Sequence, residues 1–236
     1  MRIILVDNRI SNIIERSLQK LGLEPIKLPQ DRSLGEAVKS HPDTLLFHHG
    51  NNIITTADYC DDAAYIFSDI REYRPDVKIS FTADVRGSKY PADAVMNATV
   101  IGDKLFCNTK SISEGIKSYA ASVGLSLVHT NQGYPACTVL SFGSRAITHD
   151  RGMAEILENN GIDVLLIEEG HISLPPHAHG FIGGASFVYG ERICFFGDLD
   201  GHPDGKRIRK FILEDGYEAV SLSDEPLFDY GGGIIL

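Results

Sequence analysis

Short apolar runs rich in β-branched residues recur along this chain, paired across polar turns that contain glycine. Asp43-Thr-Leu-Leu-Phe-His-His-Gly50-Asn-Asn-Ile-Ile-Thr-Thr56 is one such pair, and Met96-Asn-Ala-Thr-Val-Ile-Gly102-Asp-Lys-Leu-Phe-Cys-Asn108 is a second. Cys137-Thr-Val-Leu-Ser-Phe-Gly143-Ser-Arg-Ala-Ile-Thr-His149 and Gly184-Ala-Ser-Phe-Val-Tyr-Gly190-Glu-Arg-Ile-Cys-Phe-Phe-Gly-Asp198 complete the set. A turn residue with positive φ matches the twist of paired strands, so Gly50, Gly102, Gly143 and Gly190 predict four β-hairpins.

Behind the hairpins the apolar period changes from two to about 3.6, the period of a helix. Ser111-Ile-Ser-Glu114 reads as a capping box, with Ile112, Ile116 and Tyr119 on one face, Gly124 as a stop and Leu125–His129 as a third strand. Met153, Ile156 and Leu157, then Gly161 and Asp163–Ile167, repeat the arrangement. So do Ile208, Phe211 and Ile212, then Gly216 and Glu218–Leu222. The unit is ββαβ. The beginning of the chain supplies strand Ile3–Val6, a helix from about Ile10 to Leu21 and strand Pro25–Leu28, a unit without its first strand. The final Gly231-Gly-Gly-Ile-Ile-Leu236 is a strand without a helix. Pairing it beside Ile3–Val6 makes a fifth unit, closes the ring and removes the open sheet edges. The expected fold is α/β, a five-fold ββαβ propeller in a single domain over 1–236. An open doubly wound sheet also begins with a strand and a helix, but predicts single strands rather than hairpins.

Composition narrows the function classes. The net charge is −10, from 22 Lys+Arg and 32 Asp+Glu, and no basic run occurs. Neither a phosphate-neutralising surface nor a basic membrane face is expected. No apolar run reaches the ~20 residues of a spanning helix. Four cysteines without a CxxC motif suggest neither a disulfide framework nor a zinc motif, and the expected location is the cytoplasm.

Five ββαβ units about an axis resemble the pentein, or guanidino-modifying enzyme, superfamily, in particular a small bacterial branch. The likeness runs through the whole repeat and is most specific over His179–Phe195 and Gly231–Ile235. It implies a hydrolase-like scaffold in which a Cys attacks a guanidinium carbon, helped by a His and flanked by carboxylates. Here His179 stands before a late first strand, but Gly180 and Phe181 follow where the family has an acid. Gly231-Gly-Gly233 enters the closing strand, but Ile234, Ile235 and Leu236 follow where the agmatine deiminases have their nucleophile.

Cys137 is then the remaining candidate nucleophile, with His179 as its partner and Asp198 as a flanking carboxylate. Asp43, Asn97, His149 and Asp150 are candidate ligand-binding residues, because strand ends gather at the axis of such a ring. The same residue types also serve as helix N-caps. Reactivity of this kind would let an alkylating reagent reach Cys137 before Cys60, Cys107 or Cys194. Three readings stay open: a binding protein for a small cationic guanidine- or amine-like ligand, a Cys137/His179-dependent hydrolase or deiminase, and a metal-dependent hydrolase using His171, His177 and His179. No cofactor and no metal are expected under the first two. The expected partner is a small-molecule ligand, without nucleic acid or membrane, and a homodimer stays open.

Overall fold

The computed structural model describes residues 2–236. In chain order the first unit holds β1 (Arg2–Asp7), α1 (Asn12–Lys20) and β2 (Leu23–Leu28). The second holds α2 (Pro42–Leu45), β3 (Phe47–His49), β4 (Asn52–Thr56), α3 (Ala57–Tyr73) and β5 (Lys78–Thr82). The third holds β6 (Thr99–Ile101), β7 (Lys104–Cys107), α4 (Glu114–Ser122) and β8 (Ser126–His129). The fourth holds α5 (Pro135–Thr138), β9 (Leu140–Phe142), β10 (Arg145–Thr148), α6 (Arg151–Asn159) and β11 (Asp163–Leu166). The fifth holds β12 (Ser186–Tyr189), β13 (Arg192–Phe195), α7 (Gly205–Glu214) and β14 (Glu218–Ser221), and β15 (Ile234–Ile235) follows.

Each unit has one three-stranded sheet, with the middle strand antiparallel to the first and parallel to the third. The four turn glycines have φ between 52° and 61°, the left-handed conformation that the hairpins require. In the first unit the missing outer strand is β15, which pairs antiparallel with β1 through Ile4↔Ile235 and Leu5↔Ile234. The five-fold ββαβ fold is therefore present, and the closing strand lies where the split repeat puts it.

Packing shows why the ring closes. Alternate residues of β1 serve two different cores: Ile3 and Leu5 pack with α3 and the second unit, Ile4 and Val6 with α1 and the fifth. The pattern repeats around the molecule. Phe47 and Ile54 share a cluster with Ile112, Ile116 and Ala120 around α4, and Ile101 and Phe106 share one with Met153 and Leu157 of α6. Leu140, Phe142 and Ile147 share one with Ile208 and Ile212 of α7. Each of the five longer helices α1, α3, α4, α6 and α7 is thus wedged between its own sheet and the preceding one, so five cores join five sheets into a cycle.

Two local expectations are corrected. Residues 42–45 and 135–138 are one-turn helices, not the openings of strands, because Pro42 and Pro135 occupy first helical turns where a missing N–H costs nothing. The N-cap of α4 is Ser113, whose hydroxyl accepts from the Gly115 N–H, rather than Ser111. The stretch between β5 and β6 is irregular. It is held by Arg86, whose buried guanidinium pairs with Asp31 at 2.8 Å and also bonds Thr55 and the Leu45 carbonyl. No helix among the described residues is long and apolar enough to cross a membrane.

Candidate active site

The segments leading into the outer strands meet at the axis. The one-turn helices α2 and α5 bring Asp43 and Cys137 together, and the Cys137 thiol donates to Asp43 Oδ2 at 2.7 Å. Asn97, before β6, locks the pair. Its amide donates to Cys137 Sγ at 3.3 Å and to the Asp43 carbonyl at 3.2 Å, and its Oδ1 accepts from the Ala136 N–H at 2.8 Å. Three residues from three different units thereby converge.

His41, completely buried, stands beside them between two carboxylates. Nε2 is 3.7 Å from Asp7 Oδ2 and Nδ1 is 3.8 Å from Asp229 Oδ1, both beyond hydrogen-bond reach. Each carboxylate is anchored elsewhere. Asp7 accepts from the Arg9 guanidinium at 2.6 and 2.9 Å and from the Arg9 N–H. Asp229 accepts from the Phe181 and Gly231 N–H groups, each at 2.9 Å. Gly231 has φ +70°, and its Cα packs so closely on His41 that no side chain fits. The glycine run of the closing strand therefore holds a histidine instead of delivering a nucleophile.

Electrostatics follow from burial. Desolvation raises the Asp43 pKa well above the ordinary value, and the Asp229 charge raises it further. Desolvation, then the charges of Asp43 and Asp229, raise the Cys137 thiol, so the resting thiol is protonated. Burial lowers the His41 pKa despite its flanking carboxylates, leaving a neutral imidazole. Asp43 Oδ1 and both His41 nitrogens are buried without a hydrogen-bond partner. Such groups each cost about 1–3 kcal/mol and call for an explanation, of which a ligand is one.

A cavity of about 570 Å³ opens onto this cluster, with His41, Cys137 and Asp229 in its wall. Tyr134, Asp93 and Gln132 line one side, and Leu174, His177, His179 and Phe181 the other. A smaller cavity of about 180 Å³ reaches Asp43 and the closing glycines.

The residues singled out from the sequence divide into three groups. Asp43, Asn97 and Cys137 come together. His179 lines the cavity, but its Nε2 pairs with Glu169 at 2.7 Å and its Nδ1 faces the Gly180 carbonyl at 3.1 Å, so no hydrogen bond joins it to Cys137. His149 sits with His179, ring centroids 5.1 Å apart, and stacks on Phe181. Asp198 and Asp150 are corrected: both are caps. Asp198 accepts from the Asp200 N–H and lies in a separate depression with His171 and His202, while Asp150 accepts from the Met153 N–H and from Gln132. The set His171, His177, His179 does not assemble either, since His171 turns to Glu168 at 3.2 Å and to the ring of His202. The sequence reading missed His41, Asp229 and Arg9. A signal for His41 was available: His41-Pro42 precedes α2 as Tyr134-Pro135 precedes α5.

The family model described as "Family of unknown function (DUF6873)" matches residues 5–235. The chain belongs to DUF6873. No curated protein matches it. Solved structures do resemble this DUF6873 chain. One is the DDAH of Pseudomonas aeruginosa in complex with citrulline, at 12% identity and a TM-score of 0.58 over 94% of this chain and 92% of that one. A second is the inosamine-phosphate amidinotransferase StrB1 of Streptomyces griseus, at 15% identity and a TM-score of 0.58 over 93% and 75%. A third is the agmatine deiminase of C. jejuni, at 6% identity and a TM-score of 0.55 over 94% and 87%. The DUF6873 chain therefore has the pentein fold, the fold of guanidino-modifying enzymes.

Proposed function

We propose that the axial cavity binds a small cationic ligand of the guanidine or amine class. The observation that carries this reading is a pair of buried acids at the axis, Asp229 in the wall of the cavity and Asp43 bonded to Cys137, while the nearby Arg9 is already engaged by Asp7. A bound cation with several N–H groups would satisfy Asp43 Oδ1 and offset the charge that burial leaves exposed to no solvent. One similar structure is an agmatine deiminase, whose named substrate is a cationic guanidine, and this supports the same chemical class.

A second reading has its own observation. The His41, Asp43 and Cys137 donor atoms lie within 4.8 Å of one another, with His41 and Cys137 in the wall of the cavity. A cation beside Cys137 would favour the thiolate, and neutral His41 would accept its proton. The thiolate could then attack a guanidinium carbon and expel an amine, which takes the proton from His41. Water would release a ureido product and restore the thiol.

Thermal denaturation with agmatine, arginine or methylguanidine, against neutral citrulline or urea, tests the binding reading. At about 100 times Kd a ligand adds roughly 2.7 kcal/mol, a rise of about 5–10 °C in a chain of this size. D229N should abolish it. Equal responses to cations and neutral ureas would refute the reading. Ammonia or amine release lost in C137S and H41A would establish turnover. Binding without release would leave a binding protein.

A further inference from the structure

At the rim of the same cavity stands a cluster that the axial chemistry does not use. The parallel register Thr148↔Leu166 brings the exits of β10 and β11 side by side, so His149 and Glu169 leave the sheet at the same end. His179 reaches them from the segment before the fifth unit. One donor atom from each of His149, Glu169 and His179 lies within 4.8 Å of the others. Ligands around a zinc ion at ~2.1 Å stand about 3.4 Å apart, so closing the set needs only a small movement, and Glu169 is exposed enough to make it.

The rings are already oriented as ligands. His179 Nδ1 lies 3.1 Å from the Gly180 carbonyl and its Nε2 faces Glu169 Oε1 at 2.7 Å, so an ion entering between them takes the place of the proton they share. His149 is held flat on Phe181, 11° from parallel at 5.2 Å. Two neutral imidazoles and a carboxylate suit a borderline first-row ion better than magnesium or calcium. The axial set of His41, Asp43 and Cys137 has similar spacing, but His41 and Cys137 are buried, whereas Glu169 is exposed.

We propose that His149, Glu169 and His179 form a binding site for a single divalent transition-metal ion, zinc by preference, at the mouth of the axial cavity. With three protein donors the ion keeps one position for water or for a donor atom of a molecule in the cavity, where His179 and Phe181 form the wall. This inference is independent of the cationic-ligand reading, which metal-free protein tests by itself.

The experiment is titration of chelator-stripped, tag-free protein with Zn²⁺ by calorimetry and with Co²⁺ by visible absorption. One equivalent should bind, with a Kd below about 10 μM. H149A and H179A should each weaken binding by more than the ~10–100-fold that losing an outer hydrogen-bond partner costs a metal site. E169Q, altered only on an exposed side chain, guards against misfolding and should weaken it as well. C137S should bind like wild type, and cobalt should show ligand-field bands without a thiolate charge-transfer band. No saturable binding, binding that survives in H149A and H179A, or binding lost in C137S would overturn the proposal.

Discussion

Asp43 uses one oxygen to accept the Cys137 thiol and leaves the other buried without a partner. Its folded pKa is raised, so the folded protein holds this proton more tightly than the unfolded chain does. Stability tied to the proton is fully present below the ordinary value of 3.8 and is lost as pH rises through the folded value. At neutral pH the side chain is therefore a cost, and D43N should raise Tm. A gain of about 2–4 °C corresponds to ~1 kcal/mol, and it should vanish as the pH approaches 4. A lower Tm for D43N at pH 7.5 would contradict the assignment. The same geometry argues for a reversed order of thiol labelling. Half-exposed Cys60 should react with iodoacetamide first, ahead of buried, protonated Cys137. Cys107 and Cys194 are pushed by burial to about 11 and about 12 and should stay silent. Asp43, Asn97 and Cys137 were legible because they occupy equivalent places in the repeat. Asp229 was not, because no periodic pattern marks the segment after β14. Asp150 and Asp198 misled because the residues that cap a helix are the ones that grip a cation.

Hairpins and their glycines were readable element by element, since a positive φ leaves a mark on sequence. One-turn helices were not: Pro-Asp-Thr-Leu and Pro-Ala-Cys-Thr each look like the opening of the strand that follows, and only the proline hints otherwise. That difference matters, because α2 and α5 turn Asp43 and Cys137 toward each other. The closing strand is the element with the clearest energetic consequence. Ile234 and Leu236 are buried with Ile3 and Leu5. Deleting residues 234–236 removes both side chains, at about 2–5 kcal/mol each, and exposes the edge of β1. The Tm should fall by about 10 °C or more, with loss of any ligand response, since Gly231 would no longer be tied against His41. An unchanged Tm would mean that the ring does not depend on this strand.

At the scale of the molecule, the five cores make a cycle in which no unit is intrinsically first. Arg2 and Leu236 end neighbouring strands of one sheet, where the other four units carry a hairpin turn. A permuted chain that joins these ends through a short Asn-Gly-containing turn and opens at Gly102-Asp103 should fold to the same ring. It should retain the thermal response to a cationic ligand and show Tm within about 5 °C of the parent, matching far-ultraviolet circular dichroism. Failure of the permutant to fold, with the linker length varied, would show that the present break point is structurally special.

The pairing of β1 with β15 also separates events in time. Four sheets are assembled from strands that are close along the chain, whereas Ile4 must find Ile235 across almost its entire length. Loop entropy grows only as the logarithm of the segment spanned, but it must be met before the contact returns anything. Refolding should therefore proceed from locally formed blades to a late search by the two ends. The axial histidine, set between Asp7 and Asp229 and against Gly231, would acquire its neighbours only at that last step, so its environment reports completion of the fold.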